Sequence, residues 1–535
     1  MRDPGAEPPV RWWWVLALYT PVLAFYGAHY AAGLIHPGIS ATGFVHYDVP
    51  YTMACAREFV DNGLHGLLFT LPSGVEADGG PVLLQLHMWM LGQVWRWFPM
   101  DPGLLYFAFG TVCGLLAVRS FVRLFDAVVP VEGARRRIGH VLFLWGGGLL
   151  AVSGELLNLL HGRPIDRTWT HLLDLDPAYG WWMMNLGRCL ILPNEAYYHL
   201  LFFSAALAFV RARHRTALIC LLLLAASHPF AGVGGLVVFF TWSVVERVIV
   251  RDPDATISVP IVLATAFALC CWYYFAWLPG RLDPALAQAL PSRYIVEARS
   301  ILPAYLLVLL PAMARLRTRG RLRAFLSQRS SRMLLTMAVV QFVLENHEVF
   351  TRPYQPAHFT RGYTWAALFL IGAPWLLNEA LPWIGRHRPR ARTAMMVGCL
   401  MLLLSDNLAF FALNIKRELR ASPPGFWLTV DQRGVLDFLG TLPRDSPLVI
   451  TQEEDLGYMV IVYTPLRAYR SHFFDEVDAW SRVGHQADYF AGRITDPLLA
   501  GPLIVVAVQD SATFVPPGNA RSLYTNAGYS VFRTE

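Results

Sequence analysis

The chain has 535 residues, of which 55% are hydrophobic and 15% charged, and its mean hydropathy is +0.40. Soluble domains carry about 25% charged residues, so this composition excludes a soluble globular chain and a disordered one, and indicates a mainly α, polytopic membrane protein. The formal charge of +6 rests on 44 Lys+Arg with Lys416 the single lysine, which fits a GC-rich genome and gives no indication of nucleic acid as a partner.

In chain order, Arg2 and Arg11 precede an apolar run from Trp12 to about Gly33. That run is longer than the apolar core of a signal peptide and is expected to stay as a first span. Further apolar stretches lie near 103–123, 139–156, 197–212, 215–247, 256–278, 300–316, 332–345, 364–383 and 393–413. The stretch 215–247 is long enough for two spans and is interrupted by Ser227-His228-Pro229-Phe230-Ala231-Gly232. Proline removes a donor and glycine breaks a helix, so a tight turn is expected there. The total is about 11 transmembrane helices.

Segment 81–97 carries Gln85, His87, Gln93 and Arg96 and reads as an amphipathic helix lying in the interface. Charge bias decides against a twelfth span. With eleven spans and the N-terminus inside, the short inner segments hold 23 Lys+Arg and the longer outer loops 10. Counting 81–97 as a span would put Arg135-Arg136-Arg137 and the Arg315–Arg332 cluster outside, against the positive-inside rule. The seven cysteines show neither a disulfide framework nor a metal-binding spacing.

From about residue 415 the composition turns mixed and polar. Helices are expected over 431–442 and 475–490, and strands over 447–451, 503–508, 522–525 and 529–533, the last two around Asn526-Ala527-Gly528. The reading is a transmembrane domain over 1–414, with a large first outer loop at 34–102, and a small extracytoplasmic α/β domain over 415–535. The protein is expected in the inner (plasma) membrane, its N-terminus cytoplasmic and its C-terminal domain outside.

The first outer loop contains His46-Tyr47-Asp48-Val49-Pro50-Tyr51-Thr52-Met53-Ala54-Cys55-Ala56-Arg57-Glu58-Phe59-Val60-Asp61-Asn62-Gly63, followed by a polar stretch and the interfacial helix. A carboxylate just beyond a span suits removal of a proton from a sugar hydroxyl, since Asp is ionised near neutral pH. Asp48 equally suits a cap on a helix starting at Val49-Pro50.

This segment resembles the first outer loop of the GT-C superfamily of membrane glycosyltransferases. There an acidic residue, a tyrosine a few positions on, an Ala-Arg helix and a glycine stop precede a second interfacial helix. The resemblance implies that Asp48 is the base or orients the acceptor, that Tyr51 and Arg57 line the acceptor cleft, and that the sugar arrives on a polyprenyl-phosphate carrier. Where the family often has paired acidic residues or Asp-Glu, this chain has Tyr47-Asp48, which weakens a metal site.

A phosphate leaving group needs fixed positive charge or hydrogen-bond donors at the outer interface. The loop 345–363 concentrates Arg352, His358 and Arg361 between two spans, with Arg361 directly before Gly362. The same arginines are equally placed to snorkel to lipid headgroups. His228, at the tip of the turn 227–232, reads either as a phosphate or acceptor contact or as a helix cap. In the second outer loop, 157–196, most charges are expected to be solvated surface, with Glu195, beside Asn194, Tyr197 and Tyr198, as a cleft candidate. Asp406 lies within the last span, where an ionisable group is functional or paired for packing. Trp181-Trp182 reads as an interface belt or as a sugar-stacking surface.

Together these residues predict an inverting glycosyltransferase that moves a sugar from a polyprenyl-phosphate carrier to a glycan, lipid or protein acceptor outside the cytoplasm. No cofactor is demanded. A divalent metal on Asp48 and Glu195 oxygens stays open. The alternatives are a transporter or flippase of a lipid-linked glycan, which would want polar groups along the spans and repeated halves, and a non-catalytic membrane scaffold with an outer binding domain.

Overall fold

The computed structural model describes residues 10–61, 66–72, 80–164, 167–182, 184–253, 255–282, 294–472, 479–509 and 520–535. The chain is a polytopic helical membrane protein with a small C-terminal α/β region. The eleven expected spans all fall on helices, one of them, 139–156, on two. Seven are long and apolar enough to cross a membrane: Trp12–Ile35, Pro102–Val128, Pro229–Val250, Ser258–Trp277, Ala298–Leu316, Tyr363–Gly385 and Pro389–Leu419. The pair Gly133–Trp145 and Leu150–Leu160, bent by 52°, makes an eighth if counted as one broken span. Pro193–Val210, His214–Ala225 and Arg329–Glu345 are the shorter or more polar remainder.

Two compact units divide the chain. The first comprises 1–25, 110–272 and 291–416, the second 26–109, 273–290 and 417–535. The first outer loop and the C-terminal segment therefore belong to the same unit.

In the first unit, Leu156, Leu159, Leu160, Ile219, Ile261 and Leu302 are all exposed. A bilayer rather than water suits such a surface. The helices approach one another through small residues and are tied by a few buried polar groups. Gly148, at the bend between Trp145 and Leu150, has no room for a Cβ, which would strike the Pro303 and Ala304 carbonyls. Its N–H donates to Asp406 Oδ2 at 2.8 Å, and the Ala151 N–H donates to Oδ1 at 2.9 Å. Asp406 thus holds the start of helix Leu150–Leu160 from within the last span, as a cap supplied by another helix. Glu345 joins three further helices, accepting from Tyr305 Oη at 2.8 Å and from Thr364 Oγ1 at 2.7 Å.

The turn after helix His214–Ala225 falls at residues 226–228, and the next helix begins at Pro229 as its first residue. Proline costs nothing there, because the first-turn N–H would lack a partner anyway. The His228 Nδ1 accepts from the Ala231 N–H at 3.2 Å and caps this helix.

In the second unit, the C-terminal sheet has the order Leu448–Thr451, Leu503–Val508, Tyr529–Arg533, Arg521–Thr525. Its first pair is parallel and the others antiparallel. Helices Val430–Leu439, Glu454–Tyr463 and Ala479–Phe490 accompany it. The predicted strands match within a residue; of the predicted helix 475–490, the part before Ala479 lies largely outside the described residues, and Glu454–Tyr463 is additional. The 81–97 segment is a short strand, Leu83–Leu84, paired antiparallel with Leu68–Phe69, and then helix Leu86–Trp97. That helix packs on Val49–Asp61 through a core of Cys55, Phe59, Phe69 and Met88.

The end of the first span and the start of the loop are fastened to the C-terminal segment. Ile39–Ala41 pairs antiparallel with Trp427–Thr429. The His29 Nε2 accepts from the Gly43 N–H at 3.0 Å, which leaves its Nδ1–H to donate to Glu418 Oε2 at 2.7 Å.

Candidate functional site

The position of Asp48 is set by the five residues before it. Gly43 turns the chain at φ +83°, and a Cβ there would meet Tyr30 Oη at 2.7 Å and the Gly103 backbone at 2.9 Å, so glycine is required. Thr42 Oγ1 donates to the Phe426 carbonyl at 2.7 Å, and the Phe426 N–H donates to the Phe44 carbonyl at 2.8 Å. The helix Val49–Asp61 then starts with Pro50 in its first turn and Asp48 just ahead of it.

The carboxylate faces two histidines. His472 Nε2 is 3.0 Å from Oδ1, and His46 Nδ1 is 3.4 Å from Oδ2. The His46 Nδ1 also accepts from the Asp48 N–H at 3.2 Å, so its proton belongs on Nε2. Burial pushes the His46 pKa down, opposed by the Asp48 charge, and holds the ring neutral. His472 is therefore the ring that donates to the carboxylate. The Asp48 side chain is 41% exposed and that of His472 only 5%. The acid is reachable while its partner is fixed in the interior.

His472 is held between Tyr51, stacked at 5.0 Å between ring centroids, and Tyr47 at 5.1 Å. Tyr458 Oη donates to the Tyr47 carbonyl at 2.9 Å. Tyr51 thus stands beside Asp48. Arg57 is engaged elsewhere: its Nε donates to the Val462 carbonyl at 2.8 Å and its guanidinium lies 4.8 Å over the Trp95 ring, which ties helix Val49–Asp61 to helix Glu454–Tyr463. Gly63, the glycine of the motif, lies outside the described residues.

If Asp48 takes a proton from a substrate, replacing His472 with Ala is expected to lower kcat by about 100-fold with KM little changed, because a misplaced catalytic group loses about that factor. Gln, whose amide nitrogen reaches about as far as Nε2, is expected to restore most of it in a steady-state assay. A purely structural histidine would show no such rescue, and equal losses in both variants would remove the donor role.

The first unit holds a second group. Arg361 is only 2% exposed and sits at φ +34°, a backbone region uncommon outside glycine, immediately before Gly362 at φ +69°. Strain of this kind persists where the surroundings over-determine it. The guanidinium is surrounded. Its Nη2 is 2.9 Å from Glu195 Oε1 and 3.2 Å from His228 Nε2, its Nη1 donates to the His358 carbonyl, and it lies 4.8 Å over the Trp182 ring. The Arg361 carbonyl is 2.9 Å from His199 Nε2.

Glu195 comes from the first turn of helix Pro193–Val210, where the helix dipole favours a carboxylate. Its Oε2 is buried without a hydrogen-bond partner. The His358 ring packs on Trp182, Phe230 and Tyr294, with centroids 5.1, 4.9 and 5.3 Å away. His228, His358, Arg361 and Glu195, from three separate stretches of sequence, are thus assembled together. Arg352 is exposed and bonded to no described residue, at a position suited to headgroups or water. Asp406 belongs to the helix start described above.

The second outer loop is more buried than its polarity suggests. Asp176 and Arg188 are paired at 2.6 Å with both side chains fully buried. Burial pushes the Asp176 pKa up to about 6 against the opposing Arg188 charge. Among the described residues, no group of three or more His, Cys, Asp or Glu side chains is arranged to hold a metal ion.

No family model matches the chain, and no curated protein matches it by sequence. Solved structures do. ArnT from Cupriavidus metallidurans, described as bound to undecaprenyl phosphate, aligns over 98% of both chains at 13% identity and a TM-score of 0.46. The Archaeoglobus fulgidus oligosaccharyltransferase in its apo form aligns over 93% of this chain and 70% of its own, at 12% identity and a TM-score of 0.42. The same enzyme, tethered to an acceptor peptide containing the NVT sequon via a disulfide bond, gives 11% identity and a TM-score of 0.46 over 93% and 69%.

Sequence reasoning missed His472 and His46 as partners of Asp48. His46 stands inside the quoted motif, two residues away. His472 carries no local signal, because Arg470-Ser471-His472 matches no spacing rule and its partner is 424 residues distant.

Proposed function

We propose that this protein is a membrane glycosyltransferase of the GT-C type, working at the outer face of the plasma membrane on a sugar carried by a polyprenyl phosphate. The observation that carries the reading is a solvent-reachable carboxylate, Asp48, whose Oδ1 is held by a buried histidine while Oδ2 lies 3.4 Å from the Nδ1 of a neutral one. That is what a general base for a hydroxyl requires: one lone pair fixed, the other available.

In the proposed step the acceptor hydroxyl oxygen attacks the anomeric carbon. The bond from that carbon to the carrier phosphate breaks, and the hydroxyl proton passes to Asp48. A single displacement inverts the anomeric centre. The carrier phosphate departs with the bonding pair and needs donors. Within the first unit, Arg361 and the His228 Nε2–H, whose Nδ1 serves as a helix cap, are a pair of donors that suits a lipid phosphate. Both groups donate, and a phosphate oxygen accepts from both. The aromatic walls around His358 suit the face of a sugar. The acceptor is a glycan, lipid or protein outside the cytoplasm, and the C-terminal α/β region, which supplies His472, would shape its approach.

The test is direct. Purified protein is incubated with synthetic polyprenyl-phosphate sugars and a detergent extract of cell-envelope glycans, lipids and proteins as acceptors, and carrier release and sugar-bearing product are followed by mass spectrometry. Time-dependent release of carrier phosphate with one sugar headgroup is expected. No release from any donor, together with only bulk phospholipid retained by the purified protein, would put the transporter and scaffold readings ahead.

A further inference from the structure

Away from the groups discussed so far, the first unit has an open groove of about 260 Å³ lined by Leu116, Leu200, Ser120, Ser204 and four arginines, with Leu207, Ala208 and Thr216 completing the wall. Helix Pro102–Val128 contributes Leu116, Ser120 and Arg123, spaced so that they share one face, with Arg119 beside them. Helix Pro193–Val210 contributes Leu200 and Ser204 in the same sequence of chemistries, and Arg211 follows its last residue. Ser120 Oγ and Ser204 Oγ are 3.0 Å apart, which sets the two helices in register. The chain then reverses at Ala212, φ +54°, and the Arg213 N–H bonds back to the Ala208 carbonyl at 2.8 Å, returning a fourth guanidinium to the groove.

Both walls therefore run from leucine through a hydroxyl to arginine. From Leu116 to Arg123 this spans about 10 Å at the helical rise per residue. Arg119, Arg123 and Arg213 have no carboxylate partner among the described residues; the Arg119 guanidinium lies 4.7 Å over the Trp12 ring, with its Nε buried without an acceptor. The nearest acid on the same helix, Asp126, is occupied by Arg136 at 2.5 Å and His140 at 2.8 Å. Arginines that merely snorkel reach water separately, whereas these four line one groove together with the serine pair.

We propose that this groove binds the phosphate of an anionic membrane lipid. The guanidinium groups take the phosphate oxygens, the serine pair lies at the level of the glycerol esters, and the leucines flank an acyl chain. On the orientation that the charge bias gives, the arginine end faces the cytoplasm, and the ligand is an inner-leaflet lipid. This site is independent of the proposed transfer reaction.

The full chain in phosphatidylcholine nanodiscs is titrated with phosphatidylglycerol, and retained lipid is counted by native mass spectrometry. One phosphatidylglycerol per chain is expected, with binding about fivefold weaker for each of Arg123→Gln and Arg213→Gln, from the usual contribution of a basic residue at a lipid surface. Melting midpoints in phosphatidylcholine alone show that these variants fold. As a second variant, Leu116→Trp blocks the acyl end and leaves the charges, and is expected to lose the lipid. Equal retention of phosphatidylcholine, or arginine variants that bind like wild type, would overturn the proposal. Full competition by millimolar inorganic phosphate, with Leu116→Trp unaffected, would replace the lipid by a free anion.

Discussion

Asp48→Asn is expected to lower the rate of sugar transfer by about 10² to 10⁴-fold, the usual contribution of a positioned general base, with little change in the melting midpoint. Asparagine is close to isosteric, and its amide oxygen still accepts from His472 Nε2, now 3.0 Å from Oδ1. The fold around the loop is therefore retained. What is lost is the second oxygen as a proton acceptor, the one facing His46 at 3.4 Å. Because the carboxylate is 41% exposed, its neutralisation leaves no buried charge uncompensated. Measured kcat and a thermal melt of the same preparation separate the two effects. Full activity in Asp48→Asn would end the base assignment, and loss of activity together with a large fall in the midpoint would make Asp48 a structural residue.

The second large effect concerns the Glu195 and Arg361 pair, whose side chains are 3% and 2% exposed and 2.9 Å apart. Breaking a buried pair from one side strands the other charge, at a cost of about 3–5 kcal/mol. Arg361→Ala should therefore lower the melting midpoint sharply, and the double variant Glu195→Ala with Arg361→Met should recover most of the loss. Glu195→Gln tests the assigned role as well as the packing. It keeps a hydrogen-bond acceptor for the guanidinium but removes the competing charge. If Arg361 binds carrier phosphate, this variant is less stable yet has a lower KM for the donor. A fall in stability with KM unchanged would confine the pair to holding helix Pro193–Val210 against the turn at Gly362.

Much of the membrane part was legible because length and hydropathy are one-dimensional signals. The eleven expected spans all fall on helices, and the break before Pro229 follows from residue chemistry alone, whereas the bend between Trp145 and Leu150 was not foreseen. The strands of the C-terminal sheet were legible for the same reason, as short apolar runs between turn residues. Helix Glu454–Tyr463 was not. Residues Leu456 through Val462 are all buried, so the helix shows no polar face and its Val-Ile content gives no 3.6-residue period to read.

The candidate sites were legible as residues and not as assemblies. Arg361, His228, His358 and Glu195 each stand out as polar groups at span ends, but the 3.2 Å contact between residues 133 apart in sequence is a property of helix packing. Asp176 and Arg188 read as solvated loop charges, and only the fold reveals that each buries the other. His472 lies in a segment whose sequence suggests nothing but an ordinary α/β domain.

The strand pair Ile39–Ala41 with Trp427–Thr429 has a meaning in the time of synthesis. The partner of Ala41 emerges 386 residues later, which at 5–20 residues per second is about 20–80 s. Throughout that interval the loop carrying Asp48 is without the β-pairing, the Phe426 contacts and the imidazole that fix it. A chain released before Phe426 has been made would carry most of its spans and an Asp48 loop with neither its strand partner nor its histidine. The order around Asp48 thus waits on the synthesis of residues 426–472.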